Sequence, residues 1–141
     1  SRDNPKYRNS ITIIWAGTNN IEPAYNANQI ILRQQAMVDY LKTDKYLIIG
    51  LTSKARFSDI ENINTQIGQK WGRKFLDIRK YILEFGLSDN NITATSQDLS
   101  DISNGIIPSS LRADDTHFNE KGYYSIAKCI VAWLKNEKYI D

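Results

Sequence analysis

The sequence predicts an α/β fold with a parallel sheet. Short β-branched runs alternate along the chain with longer segments of helical periodicity. Strands separated by helices usually become parallel neighbours joined by right-handed crossovers, so we expect a three-layer α/β/α sandwich. The 141 residues are 41% hydrophobic, enough for one core. We therefore expect a single domain over residues 1–141.

The first strand and the first helix are predicted before residue 45. Ile11–Trp15 is a β-branched and aromatic run that breaks at Gly17. A helix follows Pro23, with Asn26 or Asn28 as its N-cap. Its apolar residues recur at helical spacing and should face the core: Ile30, Ile31, Met37, Val38 and Leu41.

A second strand, a second helix and a short third strand follow. Lys45–Leu51 is the second apolar run, and Ser58–Glu61 matches a capping box. Gly72 should end that helix, and Phe75–Ile78 should form the third strand. The apolar positions of the helix lie on one face: Ile60, Ile63, Ile67 and Trp71.

The last third of the chain combines helices with a polar segment. Arg79–Phe85 predicts a short helix stopped by Gly86. Ser88–Arg112 is polar, and we expect a long loop with one helical turn near Gln97–Ile102, forming part of a substrate wall. Asn119 should cap the final helix. The core face of that helix is predicted to hold Tyr123, Ala127, Ile130, Val131 and Leu134.

Composition argues against several classes of function. The net charge is +2, with 18 basic and 16 acidic residues interspersed, so no basic stripe indicates nucleic-acid binding. No apolar run is long enough to span a membrane, and no signal-peptide pattern occurs. The single cysteine, Cys129, is expected to be a core thiol. Metal and nucleotide motifs are missing from the sequence, so we expect no metal and no cofactor.

The only histidine, His117, lies three residues after Asp114 and just ahead of a helix. A turn of this length lets the Asp114 carboxylate reach the Nδ1 side of the ring, which fixes the tautomer and leaves Nε2 as a base. Asp115 is better interpreted as a solvated loop charge. Taken alone, the pattern also fits a surface loop that happens to contain a histidine.

The break after the first strand is the second candidate site. Gly17 permits a sharp backbone turn, and Asn19 and Asn20 follow it. Open α/β sheets bind ligands at the carboxyl ends of their strands, where the Asn19 amide would be a fixed donor for an oxyanion. Asn and Gly also favour ordinary turns, so this segment alone is weak evidence.

Together the two segments resemble the SGNH (GDSL-type) family of esterases and lipases. Trp15–Asn20 is similar to the family's third block, Gly-x-Asn-Asp after a strand. Ile107–Arg112 and Asp114–Asn119 continue the resemblance. Glu120–Tyr123 then resembles the Gly-Tyr helix start that follows the family's Asp-x-x-His block.

The resemblance implies roles for individual residues. It makes His117 the general base, Asp114 its orienting acid and Asn19 an oxyanion-hole donor, while Gly17 and Asn20 would contact substrate. It also implies an SGNH/flavodoxin-like sheet of five strands, of which three are predicted here, so the fold would be incomplete at its amino-terminal side. Asn19 and His117 should then lie at the same rim of the sheet.

The chain departs from the family pattern in two ways. Asn20 replaces the usual Asp, and no Gly-Asp-Ser nucleophile block occurs. Ser53, Ser109 and Ser110 lack a Gly-x-Ser-x-Gly turn and are interpreted as loop or capping residues. We therefore expect no nucleophile in this chain. A companion segment or second chain should supply that serine and two strands that pair along Ile11–Trp15.

These expectations give two functional hypotheses. The first is the acid-base half of a serine esterase that hydrolyses carboxylic esters, including O-acetyl groups on carbohydrate. The Ile107–Arg112 run, followed at one residue's distance by Asp114, is also similar to SGNH modules of phage tail proteins. This likeness favours a bacterial glycan substrate and a secreted or virion-associated protein. The alternative is a non-catalytic carbohydrate-binding or assembly module, which the missing serine would favour.

Overall fold

The computed structural model describes residues 9–16 and 26–141. This part of the chain is mixed α/β, with a three-stranded parallel sheet and five α-helices, so the predicted α/β class with a parallel sheet is confirmed. It divides into two compact units, which are described separately. The first contains residues 9–16, 26–51 and 61–77, and the second contains residues 52–60 and 78–141. The expectation of one domain over residues 1–141 stays a prediction.

The sheet belongs to the first unit. Its strands are β1 (Thr12–Ile14), β2 (Tyr46–Ile49) and β3 (Phe75–Leu76), in the order β1-β2-β3. Both pairings are parallel, with Ile14 opposite Ile48. β2 is therefore the central strand of the described sheet, and its buried apolar run fits a strand covered on both faces.

The third strand is shorter than predicted. It ends at Leu76, and Ile78 is instead the first residue of the next helix, α3 (Ile78–Asp89). Gly50 N donates to Leu76 O at 3.1 Å, which extends the pairing with β3 one residue beyond the end of β2. A Cβ on Gly50 would lie 3.0 Å from the Phe75 ring, so the glycine permits this close approach.

Helix α1 (Ala27–Tyr40) begins at the predicted cap. The Asn26 side chain accepts from Gln29 N at 3.1 Å, and the Gln29 side chain accepts from Asn26 N, so Asn26 rather than Asn28 is the N-cap. The placement of Met37 in the core was wrong, because this side chain is exposed. The polar Gln34 is buried on the core face instead, where its Oε1 accepts from Trp71 Nε1 at 2.8 Å.

Helix α2 (Ile60–Trp71) buries the face that the sequence predicts, since Ile60, Ile63, Ile67 and Trp71 are all buried. Gly72 follows with φ +56° and opens a 3₁₀ helix, Gly72–Lys74, which ends α2 as expected. The buried Asn64 side chain donates to Leu51 O at 2.9 Å and accepts from Leu51 N at 2.8 Å. The Asn64 amide therefore provides hydrogen-bond partners for both the N–H and the carbonyl of Leu51, just beyond β2.

The second unit is helical. It contains α3, α4 (Ser96–Ser103), a 3₁₀ helix (Ser109–Leu111) and α5 (Glu120–Asn136). The helical turn expected near Gln97–Ile102 is the middle of α4, which is a complete helix with a capping box of its own. The predicted long loop is thus divided by two helical elements.

Gly86 does not stop α3, and that prediction was wrong. The helix continues through this residue to Asp89. A Cβ on Gly86 would lie 2.6 Å from Leu111 Cδ1 and 3.1 Å from Ile82 Cγ2. The glycine is therefore used for close packing against Leu111 and not for a left-handed cap.

The predicted core face of α5 was also wrong. Tyr123 is 48% exposed, and Val131 is exposed as well. The helix is rotated so that Ser125 faces inward, where its Oγ accepts from Asn90 Nδ2 at 3.1 Å. The residues of α5 that are buried are Gly122, Ser125, Ile126 and Cys129, which confirms Cys129 as a core thiol.

Candidate active site

His117 lies in a tight turn of the second unit. Arg112 and Phe118 form an antiparallel bridge at the base of the turn, and Ala113 N donates to His117 O at 2.9 Å inside it. Backbone hydrogen bonds therefore join the two ends of the five-residue turn 113–117. This geometry fixes the backbone of the only histidine without placing it in a helix or a strand.

The Asp114 carboxylate contacts His117 as the spacing predicts. Asp114 Oδ2 lies 2.9 Å from His117 Nδ1, and Oδ1 lies 3.0 Å from it. Oδ1 also accepts from His117 N at 2.7 Å and from Thr116 N at 2.8 Å. One carboxylate thus holds both the turn and the imidazole ring.

The charge on Asp114 is stabilised by these same bonds. The backbone N–H of Thr116, followed by the backbone N–H and the ring of His117, lowers the pKa of the Asp114 carboxyl from 3.8 to about 2. An ionised carboxylate beside Nδ1 favours the tautomer that carries its proton on Nδ1. Nε2 is then left with its lone pair, as a base or hydrogen-bond acceptor requires.

The first residues of α5 and its N-cap contact the segments that flank the His117 turn. The Asn119 side chain accepts from Gly122 N at 3.1 Å as the predicted N-cap, and its Nδ2 donates to Ser110 O at 2.9 Å. A Cβ on Gly122 would contact Leu111 O and would lie 2.7 Å from the Phe118 ring. Gly122 is therefore required by close packing against the turn.

His117 lines a cavity of about 480 Å³ in the second unit. Three segments form its wall, namely residues 52–58, 101–107 and 112–118. The middle segment lies within the polar region that the sequence analysis assigned to a substrate wall. The remaining lining side chains of functional interest are Ser53, Lys54, Asp101, Arg112 and Asp115.

The Arg112 side chain makes four hydrogen bonds in this wall. Its Nε donates to Ile107 O at 2.6 Å, and its Nη2 lies 3.2 Å from the buried Asp101 carboxylate. Nη2 also donates to Ser109 Oγ at 3.0 Å. On the other side Nη1 lies 3.2 Å from Asp115, whose side chain is 85% exposed. Arg112 therefore has one buried, anchored side and one side at the cavity.

Two buried carboxylates of α4 hold the 3₁₀ helix that leads into the turn. Asp98 accepts from Ser110 N at 2.9 Å and Ser110 Oγ at 2.7 Å, and Asp101 accepts from Ser109 N at 2.9 Å. Burial alone would raise the pKa of Asp98, but bonds from Ser110 and Thr95 outweigh it and lower this pKa to about 2. The pKa of Asp101 is lowered as well, because its bonds from Ser109, Gln97 and Arg112 outweigh burial.

The three serines considered as nucleophiles have structural partners. Ser53 Oγ donates to Asp115 O at 3.0 Å, Ser109 Oγ to Asp101, and Ser110 Oγ to Asp98. A hydroxyl has one proton to donate, so none of these three serines donates to His117. These contacts agree with structural roles for the three serines, although Ser109 and Ser110 lie in the 3₁₀ helix and not in a loop.

The amino-terminal candidates Gly17, Asn19 and Asn20 lie outside the described residues. The predicted placement of Asn19 near His117 therefore stays a prediction. Sequence reasoning did not single out Arg112 or Asp101 as parts of the site. The available signal was the pair of acidic residues in α4 followed by Ser-Ser-Leu-Arg, because buried carboxylates need such donors.

Within the described part of the chain, no group of three or more His, Cys, Asp or Glu side chains is placed to hold a metal ion. None of the helices described is both long and apolar enough to cross a lipid bilayer. Comparison of the chain with protein-family models, curated proteins and solved structures finds no match.

Proposed function

We propose that this chain is the acid-base half of a serine esterase of the SGNH type. The observation that carries the proposal is the Asp114–His117 pair, with a carboxylate 2.9 Å from Nδ1 and the ring at the wall of a cavity. A carboxylate that orients a histidine ring at the wall of a ligand space is the arrangement of a general base in acyl transfer.

In this proposal His117 moves one proton twice. Nε2 takes the proton of a serine hydroxyl as the serine oxygen attacks the ester carbonyl carbon. The imidazolium then gives that proton to the alcohol oxygen as the carbon–oxygen bond breaks. Asp114 stabilises the imidazolium throughout, and Asn19 is the proposed donor to the tetrahedral oxyanion. Water then attacks the acyl carbon and gives a proton to Nε2. That proton passes to the serine oxygen as the bond between the acyl carbon and the serine oxygen breaks, which releases the carboxylic acid and restores the serine hydroxyl.

The serine would come from outside this sequence, which contains no Gly-Asp-Ser block. We propose a companion segment or chain that also adds two strands and completes a five-stranded, three-layer sandwich. β1 lies at one edge of the described sheet, and its Ile13 side chain is 45% exposed. An apolar strand at an edge is a surface suited to strand addition.

The proposed substrate is a carboxylic ester, in particular an O-acetyl group on a carbohydrate. The cavity has room for an acetyl group together with part of a sugar ring, and it combines apolar walls with charged groups. The proposal includes no metal and no cofactor, because the proton transfers require only the side chains named.

The test is reconstitution of p-nitrophenyl acetate hydrolysis. The 141-residue chain alone should release p-nitrophenol no faster than buffer, and adding a polypeptide with the Gly-Asp-Ser block and two strands should restore turnover. In the restored complex His117→Ala should reduce kcat by at least ~10³-fold, since proton transfer and orientation are both lost. Glu84→Gln, an exposed change on α3, is the matched control and should leave kcat unchanged.

Two results would contradict the proposal. Robust turnover by the chain alone, lost in Ser53→Ala, would place the nucleophile inside this sequence. No turnover with a correctly folded, complete Gly-Asp-Ser segment would instead favour a carbohydrate-binding or assembly module. Intact mass and co-purification of the native protein would show whether such a segment accompanies the chain.

A further inference from the structure

Arg112 has hydrogen-bonding capacity directed at the cavity. Its guanidinium has five N–H groups, and the bonds of Nε and Nη2 anchor it to Ile107, Ser109 and Asp101. Nη1 has two N–H groups, and its one acceptor among the described residues is Asp115. The guanidinium is thus pre-positioned by three partners that do not depend on its contact with Asp115.

The contact between Arg112 and Asp115 is replaceable. The Asp115 side chain is 85% exposed, and an ion pair this exposed to solvent contributes little to stability. The backbone at this position is held separately, because Ser53 Oγ donates to Asp115 O at 3.0 Å. The Asp115 carboxylate can therefore leave Nη1 by side-chain rotation while the His117 turn keeps its backbone.

The charges of the cavity favour an anion once that rotation occurs. Its charged lining residues are Lys54, Arg112, Asp101 and Asp115. With Asp115 turned to solvent, two cations face one buried carboxylate, so the lining has a net charge of +1. Lys54 Nζ donates to Asn104 O at 2.6 Å, which holds the second cation at the same cavity. A single ligand carboxylate would restore neutrality.

We infer that Nη1 of Arg112 is a carboxylate-binding subsite beside His117, occupied by the Asp115 side chain until an acidic ligand replaces it. The ligand class is an acidic sugar, so the inference rests on the proposed function and restricts its substrate to esters of carboxylate-bearing glycans. A charge-assisted bond to a fixed guanidinium would orient such a sugar next to the base.

The test measures binding and does not require hydrolysis. D-glucuronate is titrated into the ¹⁵N-labelled 141-residue chain at constant ionic strength, and the amide signals of Asp115, Thr116 and His117 are followed. Glucuronamide, the same sugar with a neutral amide, is the matched ligand. Glucuronate should cause saturable shifts with Kd on the order of millimolar, and glucuronamide should cause none at the same concentrations.

Two variants identify the subsite. Arg112→Gln should weaken glucuronate binding at least ~10-fold, because a bond to a charged group contributes about 1.5–3 kcal/mol. Lys128→Gln removes the same charge from α5 and should bind like the parent chain. Asp115→Asn removes the competing carboxylate and should tighten binding by up to about five-fold, because an exposed carboxylate competes only weakly for the guanidinium. That variant keeps the test decisive if Arg112→Gln fails to fold.

Equal shifts with glucuronate and glucuronamide would overturn the inference. So would undiminished binding to a folded Arg112→Gln, or weaker binding to Asp115→Asn. Failure of the esterase proposal is a separate result, since the titration needs neither a serine nor a companion. Hydrolysis of p-nitrophenyl acetate without glucuronate binding would remove the acidic-sugar inference alone.

Discussion

Replacing Gly86 by alanine adds one methyl group in the last turn of α3, and its effect on stability should change sign with the residue at position 111. In an open helix this substitution stabilises by about 0.8–1.0 kcal/mol, because alanine has the higher helix propensity. Here the new Cβ would lie 2.6 Å from Leu111 Cδ1, and Leu111 is fully buried. Overpacking of this kind costs about 1–3 kcal/mol, so the net loss of stability should be about 0–2 kcal/mol.

Shortening Leu111 should remove the clash. Leu111→Ala alone should cost about 2–5 kcal/mol through lost burial and the cavity left behind. In that background Cδ1 is gone, and the nearest atom to the new Cβ is Ile82 Cγ2 at 3.1 Å. Gly86→Ala should then stabilise the protein by up to about 1 kcal/mol, which corresponds to a coupling of about 1–3 kcal/mol between the two sites.

The assay is urea unfolding followed by far-ultraviolet circular dichroism for the parent, both single variants and the double variant. Interpretation requires m-values that agree within error, because a changed m indicates a changed denatured or native state. If Gly86→Ala stabilises the parent chain, or has the same effect in both backgrounds, then Leu111 does not explain the glycine in α3.

Three further predictions concern individual titrating groups. In its neutral form the His117 ring should carry its proton on Nδ1, and Asp114→Ala should shift that proton toward Nε2. The ¹⁵N chemical shifts of the ring measure this, and an unchanged tautomer would contradict the role of Asp114. Because the folded pKa of Asp98 is about 2, below its usual 3.8, its contribution to stability is complete above about pH 4 and is lost as the pH falls through 2. Melting temperatures should therefore decrease from pH 5 to pH 2, and an equally steep decrease in Asp98→Asn would refute that assignment. Burial, and secondarily the charge of Asp89, raises the pKa of Cys129 to about 11. A disulfide reagent should therefore modify this thiol far more slowly at pH 8 in buffer than in urea, and equal rates would place the thiol outside the core.

Several features could be predicted from the sequence because they depend on residues close together along the chain. The cap of α5 at Asn119 and the buried stripe of α2 are of this kind. So is the contact between Asp114 and His117, because a three-residue turn brings a carboxylate to Nδ1 with little freedom to do otherwise. Local spacing sets these geometries, and tertiary packing leaves them in place.

Other features could not be predicted from the sequence because they depend on contacts with residues distant along the chain. A glycine such as Gly86 is typical of a helix end. In the structure a Cβ at this position would lie against Leu111, 25 residues later, so the glycine permits close packing and α3 continues through it. The exposed and buried faces of α5 differ from the predicted ones because both faces contain apolar residues, and contacts such as Asn90 with Ser125 select one of them. Arg112 acquires its place at the cavity that His117 also lines in the same way, since the buried carboxylate that anchors it belongs to a separate helix. Periodicity gives the spacing of side chains on an element, whereas the direction in which that element faces is determined by the surfaces available to pack against it.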